Sequence, residues 1–207
     1  MRKIIAILTA LCLMLVPTLS LAEEEFNSNY FWSTDTQFDL YDLGFSIVSP
    51  DTWTHADDET LTAMNTEDET DTAAQLTLTP SVIAYFTNAD ATDQMLILCE
   101  DVEDPSAVVT PDQYIELLAN DMLSYSSASG NTTTFTYDTA NITDATLGSQ
   151  TFREMAITCS DGSILDVLVC HSGIGTYYTF LIQGSSDTIT TFAQEFVSSV
   201  VEIEAVG

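Results

Sequence analysis

Cys170 and His171 stand side by side, a nucleophile next to a base, and their geometry decides whether they can act together. The stretch Ser163 to His171 reads as a strand, where neighbours point to opposite faces, so the adjacent pair cannot form a dyad. His55 is the only other histidine. The Gly-x-Ser-x-Gly, Cys-x-x-Cys and His-Glu-x-x-His patterns and phosphate-cradling glycine loops are all absent. Carboxylate pairs abound among 32 acidic residues, so that abundance singles out no hydrolase site. An extracellular hydrolase is the weakest reading of these residues.

Metal binding has more behind it. Glu67, Asp68, Glu69 and Asp71 crowd one expected loop, and Asn88, Asp90 and Asp93 another. Calcium takes six to eight oxygen ligands, which such loops can supply, although neither has the glycine and distal glutamate of the helix-loop-helix pattern. Calcium is thus the one cofactor suggested, against the plain alternative of a solvated acidic surface. Arg153 is the single cation beyond residue 22. It fits a structural ion pair, with Asp166 or Glu154 as partner, or a handle for an acidic small-molecule ligand. His171, Trp53 and Tyr177 are the other candidate ligand-binding side chains, with burial in the core as the alternative for the two aromatics.

The elements that must position these residues begin after an export signal. Arg2 and Lys3 precede an apolar run from Ile4 to Val16, and Ser20-Leu21-Ala22 puts small residues at the two positions a signal peptidase inspects. The run is too short to span a bilayer core of about 30 Å. Leu11 before Cys12 is unlike a lipoprotein signal, which wants a small residue there. A secreted mature chain of 185 residues, Glu23 to Gly207, is expected, with no later membrane span. All 32 acids lie in that part with one arginine, which leaves a net charge of −31. Such a polyanion is repelled by nucleic acid and by anionic membrane. A basic or cation-bridged surface partner fits it instead. Cys99, Cys159 and Cys170 remain; if Asp161-Gly162 is a two-residue turn, Cys159 faces Ile164 and Cys170 faces Arg153, too far apart to bond, and buried reduced thiols are expected.

Residues 23–36 read as a flexible, polar lead-in, and residues 37–207 as one domain. Phe38 to Asp42 and Gly44 to Ser49 read as short strands with a tight connection, Asp51 to Asp71 as a long loop with room for a helical turn. Thr79-Pro80 has the form of an N-cap and first helical residue, which predicts a short helix through Phe86. Gln94 to Val102 is a continuous apolar run suited to a strand covered on both faces. Thr110-Pro111-Asp112-Gln113 is a capping box opening a helix to about Ser127. Strands follow over 132–138, 145–147, 150–158, 163–171 and 175–183. A last helix starts at Ser186 or Asp187, with Ile189, Phe192, Phe196, Val197 and Val200 on one face. Hairpin-joined strands with two amphipathic helices give an α+β fold, an antiparallel β-sheet flanked by helices on both faces.

Three stretches together resemble the PsbP-like fold, an α/β/α sandwich found in many exported bacterial proteins. They are Tyr41-Asp42-Leu43-Gly44-Phe45 running on to Pro50 and Trp53, the Thr-Pro-started central helix, and Tyr177 to Ser185 leading into the Phe192/Phe196 helix. The resemblance covers roughly Gln37 to Val201 and implies a non-catalytic binding or assembly role. It assigns no site residue. The combined reading is a secreted binding or accessory module at the bacterial cell exterior, with a calcium-dependent surface or wall-associated protein as alternative. Expression of the whole chain in a bacterial host should yield a product whose N-terminus is Glu23 by mass spectrometry. Retention of Met1 in the exported product would contradict cleavage after Ala22.

Overall fold

A computed structural model describes residues 31–33, 37–49, 51–65, 78, 80–90, 92–102, 108–128, 134–173, 175–185 and 189–203. The chain folds as α+β, with twelve strands in two antiparallel sheets and three α-helices among these residues. The large sheet takes the order β4–β5–β6–β11–β10–β9–β7, with β8 also on β9. Its strands are β4 (Trp53–His55), β5 (Ser81–Asn88), β6 (Gln94–Asp101), β7 (Phe135–Thr136), β8 (Thr143–Leu147), β9 (Gln150–Cys159), β10 (Ser163–His171) and β11 (Thr176–Ser185). The expected single sheet is joined by a second one of four strands, in the order β1 (Phe31–Ser33), β2 (Gln37–Leu40), β3 (Phe45–Val48) and β12 (Val200–Glu202). Residues 31–33, expected in the polar lead-in, are thus the edge strand of this sheet, paired to β2.

Alternating side chains of the large sheet feed two cores. On β6, Leu96 and Leu98 join one cluster while Met95 and Ile97 join the other. The first cluster takes Leu61 and Met64 of α1 (Asp58–Asn65) and Tyr114, Ile115, Leu118, Ala119 and Met122 of α2 (Pro111–Ala128). The second takes Phe38, Leu40, Phe45 and Ile47 of the small sheet and Ile189, Phe192 and Phe196 of α3 (Ile189–Ser199). Val197, expected on the buried face of α3, is 49% exposed, and Val200 has already entered β12.

Local signals explain most of this. The Thr110 amide donates to Gln113 Oε1 (2.9 Å) and the Gln113 amide to Thr110 Oγ1 (3.3 Å), the reciprocal pair of a capping box. Asp57 caps α1 by accepting from the Thr60 amide (2.9 Å), and hydrogen bonding from Thr60 lowers its pKa. That helix stands inside the expected long loop.

The largest correction concerns Pro80 to Phe86, where the predicted helix is strand β5. Val82 to Phe86 are buried without interruption. A helix would need a polar face, and this run of five apolar residues, with Val82, Ile83, Tyr85 and Phe86 all β-formers, has none. Asn65 clasps β5 at its irregular start, donating to the Val82 carbonyl and accepting from the Val82 amide, both at 2.8 Å. The register shifts between Val82 and Ala84 at that point.

The β9–β10 turn is also one residue longer than expected. Ile164 faces Thr158 and Val169 faces Arg153, with the Gly162 amide bonded to the Cys159 carbonyl (3.0 Å). The three cysteines among the described residues form no disulfide, and Cys159 and Cys170 belong to opposite cores.

Two sites carry the packing and can be tested by urea unfolding. Phe180 is fully buried against Phe45, Phe152 and Phe196, so Phe180→Ala should cost about 3–5 kcal/mol. Gly148 sits at φ 56°, and a Cβ there would lie 3.0 Å from Glu202 Oε1 and 3.3 Å from the Phe45 ring. Gly148→Ala should cost about 1–3 kcal/mol. A loss below about 0.5 kcal/mol in either variant would contradict this account.

Candidate functional site

Register brings together residues far apart in sequence. Glu100 of β6 faces Tyr177 of β11, and Tyr177 faces His171 of β10. One row along, Leu98, Thr179, Val169, Arg153 and Asp144 lie across β6, β11, β10, β9 and β8. The first turns of α2 and the segment before it cover these rows. Three of the four candidate ligand-binding residues, Arg153, His171 and Tyr177, therefore share one sheet face.

Their polar atoms are largely engaged within the chain. The Tyr114 ring stacks on Tyr177 with centroids 4.4 Å apart, and its hydroxyl donates to Glu100 Oε2 (2.6 Å). Burial, with the Glu100 carboxylate adding to it, pushes the Tyr114 phenol well above its ordinary pKa. The Tyr177 hydroxyl donates to the Val109 carbonyl (2.6 Å) and accepts from the Val109 amide (2.8 Å). The His171 ring lies 4.7 Å from that of Tyr177, and its Nε2 is buried without a hydrogen-bond partner.

Arg153 meets neither Asp166 nor Glu154. Side chains alternate along β9 and β10, so Glu154 and Asp166 point to the opposite face. Arg153 instead forks onto Asp112 of α2 through Nε (2.6 Å) and Nη2 (3.2 Å), and its Nη1 binds Asp144. Its hydrogen bonds to those two carboxylates raise its pKa further. The cation that could have received an acidic ligand is thus matched by two carboxylates of its own chain.

Trp53 lies apart, in the second core. Its ring stacks on Phe192 (4.6 Å) and Phe196 (6.0 Å), and its Nε1 donates to Glu195 Oε2 (3.0 Å). Thr52 Oγ1 donates to the same oxygen (3.2 Å). Over this point runs an open groove of about 700 Å³, whose lining includes Val48, Asp51, Thr52, Glu195, Ser198 and Val201. The sequence reading missed the groove, because Glu195 reads only as a polar-face residue of α3 and its link to Trp53 spans 142 positions.

Of the proposed metal ligands, Glu67, Asp68, Glu69 and Asp71 lie outside the described residues. Asn88 closes the β5–β6 turn, accepting from the Thr92 amide (2.9 Å) and the Asp93 amide (3.3 Å) and donating to Asp93 Oδ2 (2.7 Å). Asp93 is buried and Asp90 exposed. Among the described residues, no group of three or more histidine, cysteine, aspartate or glutamate side chains is placed to hold a metal.

No family model and no curated protein matches the sequence. Among solved structures, the chain is similar to cyanobacterial PsbP (CyanoP) from Synechocystis sp. PCC 6803. The TM-score is 0.47 and the identity 11%, over 86% of this chain and 98% of that one. It is also similar to LpqN of Mycobacterium tuberculosis, described as involved in cell envelope biogenesis. There the TM-score is 0.36 and the identity 11%, over 76% and 82% of the two chains. The resemblance to the PsbP-like fold is one of fold alone.

Asp166, half-buried on the opposite face of the sheet, supplies a separate pH test of the fold. Burial, and then the Glu154 carboxylate, raise its pKa from 3.8 to about 6. A folded value above the unfolded one means the native state binds the extra proton. The stability this gives is complete below pH 3.8 and is lost as pH rises through 6. Asp166→Asn should therefore stabilise by about 1–2 kcal/mol at pH 7 and change little at pH 3.5. Glu154→Gln should act in the same direction, more weakly. Equal effects at both pH values in chemical denaturation would rule out this assignment.

Proposed function

We propose that the mature chain is an exported, non-catalytic accessory module that works by binding, built as a sandwich with helices on both faces of the large sheet. The observation supporting this is where the reactive side chains went. Cys170 points into the second core, away from His171, and burial pushes its thiol up to about 12. Cys99 is raised to about 12 as well, by burial and then by Asp101, Asp42 and Glu100. A thiol in such surroundings stays protonated and is a poor nucleophile at neutral pH. Tyr114 and Tyr177 are spent on stacking and on backbone partners, and Arg153 on holding α2. The described surface carries mainly carboxylate, hydroxyl and amide groups with scattered apolar ones, which suits recognition more than bond-breaking.

Iodoacetamide at pH 8 tests the reading directly. Cys170 should stay unlabelled in the native protein over the time that labels it fully in urea. Rapid native labelling of Cys170, or turnover of fluorogenic ester, glycoside or peptide substrates by the mature protein, would overturn the non-catalytic reading. The acidic run from Glu67 to Asp71 keeps calcium as a separate question, settled by melting in CaCl₂ and NaCl at matched ionic strength. Gradual, equal rises in both are expected for a screened acidic surface. Saturable stabilisation by calcium alone, following RT ln(1 + [L]/Kd), would assign the chain a calcium site.

A further inference from the structure

We infer that the groove between α3 and the β3–β12 edge receives a lysine- or arginine-bearing extended segment of a basic protein partner. This deepens the proposed binding role and rests on it. Glu195 is the anchor. Its Oε2 takes hydrogen bonds from Trp53 Nε1 and Thr52 Oγ1 (3.0 and 3.2 Å), so the carboxylate is held in place before any partner arrives. A fixed acceptor loses less freedom on binding than a mobile surface glutamate. Asp51 adds a second negative charge to the lining.

The C-terminal end of α3 adds a third source of negative potential. The groove includes Ser198 and Ser199, the last residues of the helix, and no basic side chain occupies that last turn. The negative end of the helix dipole favours a cation there, although the Phe196 carbonyl already accepts from Ser199 Oγ (2.6 Å). Val48 and Val201, 38% and 45% exposed, supply apolar wall on the same groove. A fixed carboxylate beside an apolar wall matches a side chain with an aliphatic stem and a charged tip.

The neighbouring backbone offers the rest of a docking surface. β12 pairs only with β3 and is the edge of its sheet among the described residues. An extended segment laid along such an edge can hydrogen-bond to it while its side chains enter the groove. Charge selects the occupant: a mature chain with 32 acids and one arginine repels another copy of itself and attracts a basic segment.

The test uses the mature protein and a fluorescein-labelled octapeptide of alternating lysine and valine, titrated by anisotropy at 0.15 M NaCl. Saturable one-to-one binding is expected. Asp51→Asn with Glu195→Gln should weaken it by roughly tenfold, whereas Glu116→Gln with Asp161→Asn, which removes the same charge outside the groove, should change it less than about threefold. Glutamine at position 195 can still accept from Trp53, and Asp51→Asn alone should shift affinity in the same direction in a chain whose melting is unchanged. Equal losses in the two double variants, or displacement by spermidine as effective as by unlabelled peptide, would reduce the effect to the field of the whole chain and overturn the groove assignment. No binding at millimolar peptide would overturn it as well. Neither result touches the non-catalytic reading, which the thiol and turnover measurements decide.

Discussion

β11 is buried along its whole length except its last residue, and on both faces. It pairs with β6 from Thr176 to Gln183 and with β10 from Tyr177 to Ser185. A strand so placed must present apolar side chains both ways, and Tyr178, Phe180 and Ile182 serve one core while Tyr177 and Leu181 serve the other. Everything outside it follows from covering those two faces. α1 and α2 contribute to the first core, and the small sheet and α3 to the second. Tyr177 and Tyr178 solve the resulting polar problem with the Val109 main chain, which both accepts from and donates to the Tyr177 hydroxyl, and with Asp42 Oδ2, which accepts from Tyr178 (3.0 Å).

A chain with one mature cation must satisfy its buried carboxylates by other means. Asp121 accepts the Leu78 amide (2.8 Å), Asp39 accepts Ser46 Oγ (2.5 Å) and Gln37 Nε2 (2.6 Å), and Asp93 accepts Asn88 Nδ2. Neutral donors carry the work that ion pairs do elsewhere. The one arginine is spent where it joins the most: α2 through Asp112, β8 through Asp144, and the Ile142 carbonyl. Asp112 also lies in the first turn of α2, where a negative charge suits the helix dipole. Among the described residues most of the other carboxylates are exposed, and their mutual repulsion falls off over a Debye length of about 8 Å at physiological salt.

Local signals in the sequence specified what local physics controls. The Thr110–Gln113 capping box and the run of strands from Gln150 to Gln183 could be read directly, because each rests on a few adjacent residues, although the β9–β10 turn is one residue longer than expected. Pro80 to Phe86 misled, because the Thr79-Pro80 start signal pointed to a helix while the run behind it has no polar face and pairs with β6 as a strand. The second sheet was hidden for a related reason: β3 pairs with β12 about 150 residues away, a matter of topology. The site residues divide in the same way. Arg153, His171 and Tyr177 were identifiable by type, and β-register brought them together. Their actual partners, Asp112, Asp144, Val109 and Tyr114, come from α2 and its approach, whose docking no local pattern encodes.

The shared central strand also decides how the fold comes apart. Two cores on separate sheets could melt separately, each with its own transition. Here the side chains of both hang alternately from the same backbone, so loss of either core exposes one face of β6, β10 and β11 and weakens the pairing that the other needs. Phe180 touches Phe45 of the small sheet, Phe152 of β9 and Phe196 of α3, joining three layers at one ring. Local opening is therefore confined to elements attached at one side, such as β12 and the outer surface of α3. Those elements also line the groove, where Glu195 of α3 is held by Trp53 and Thr52.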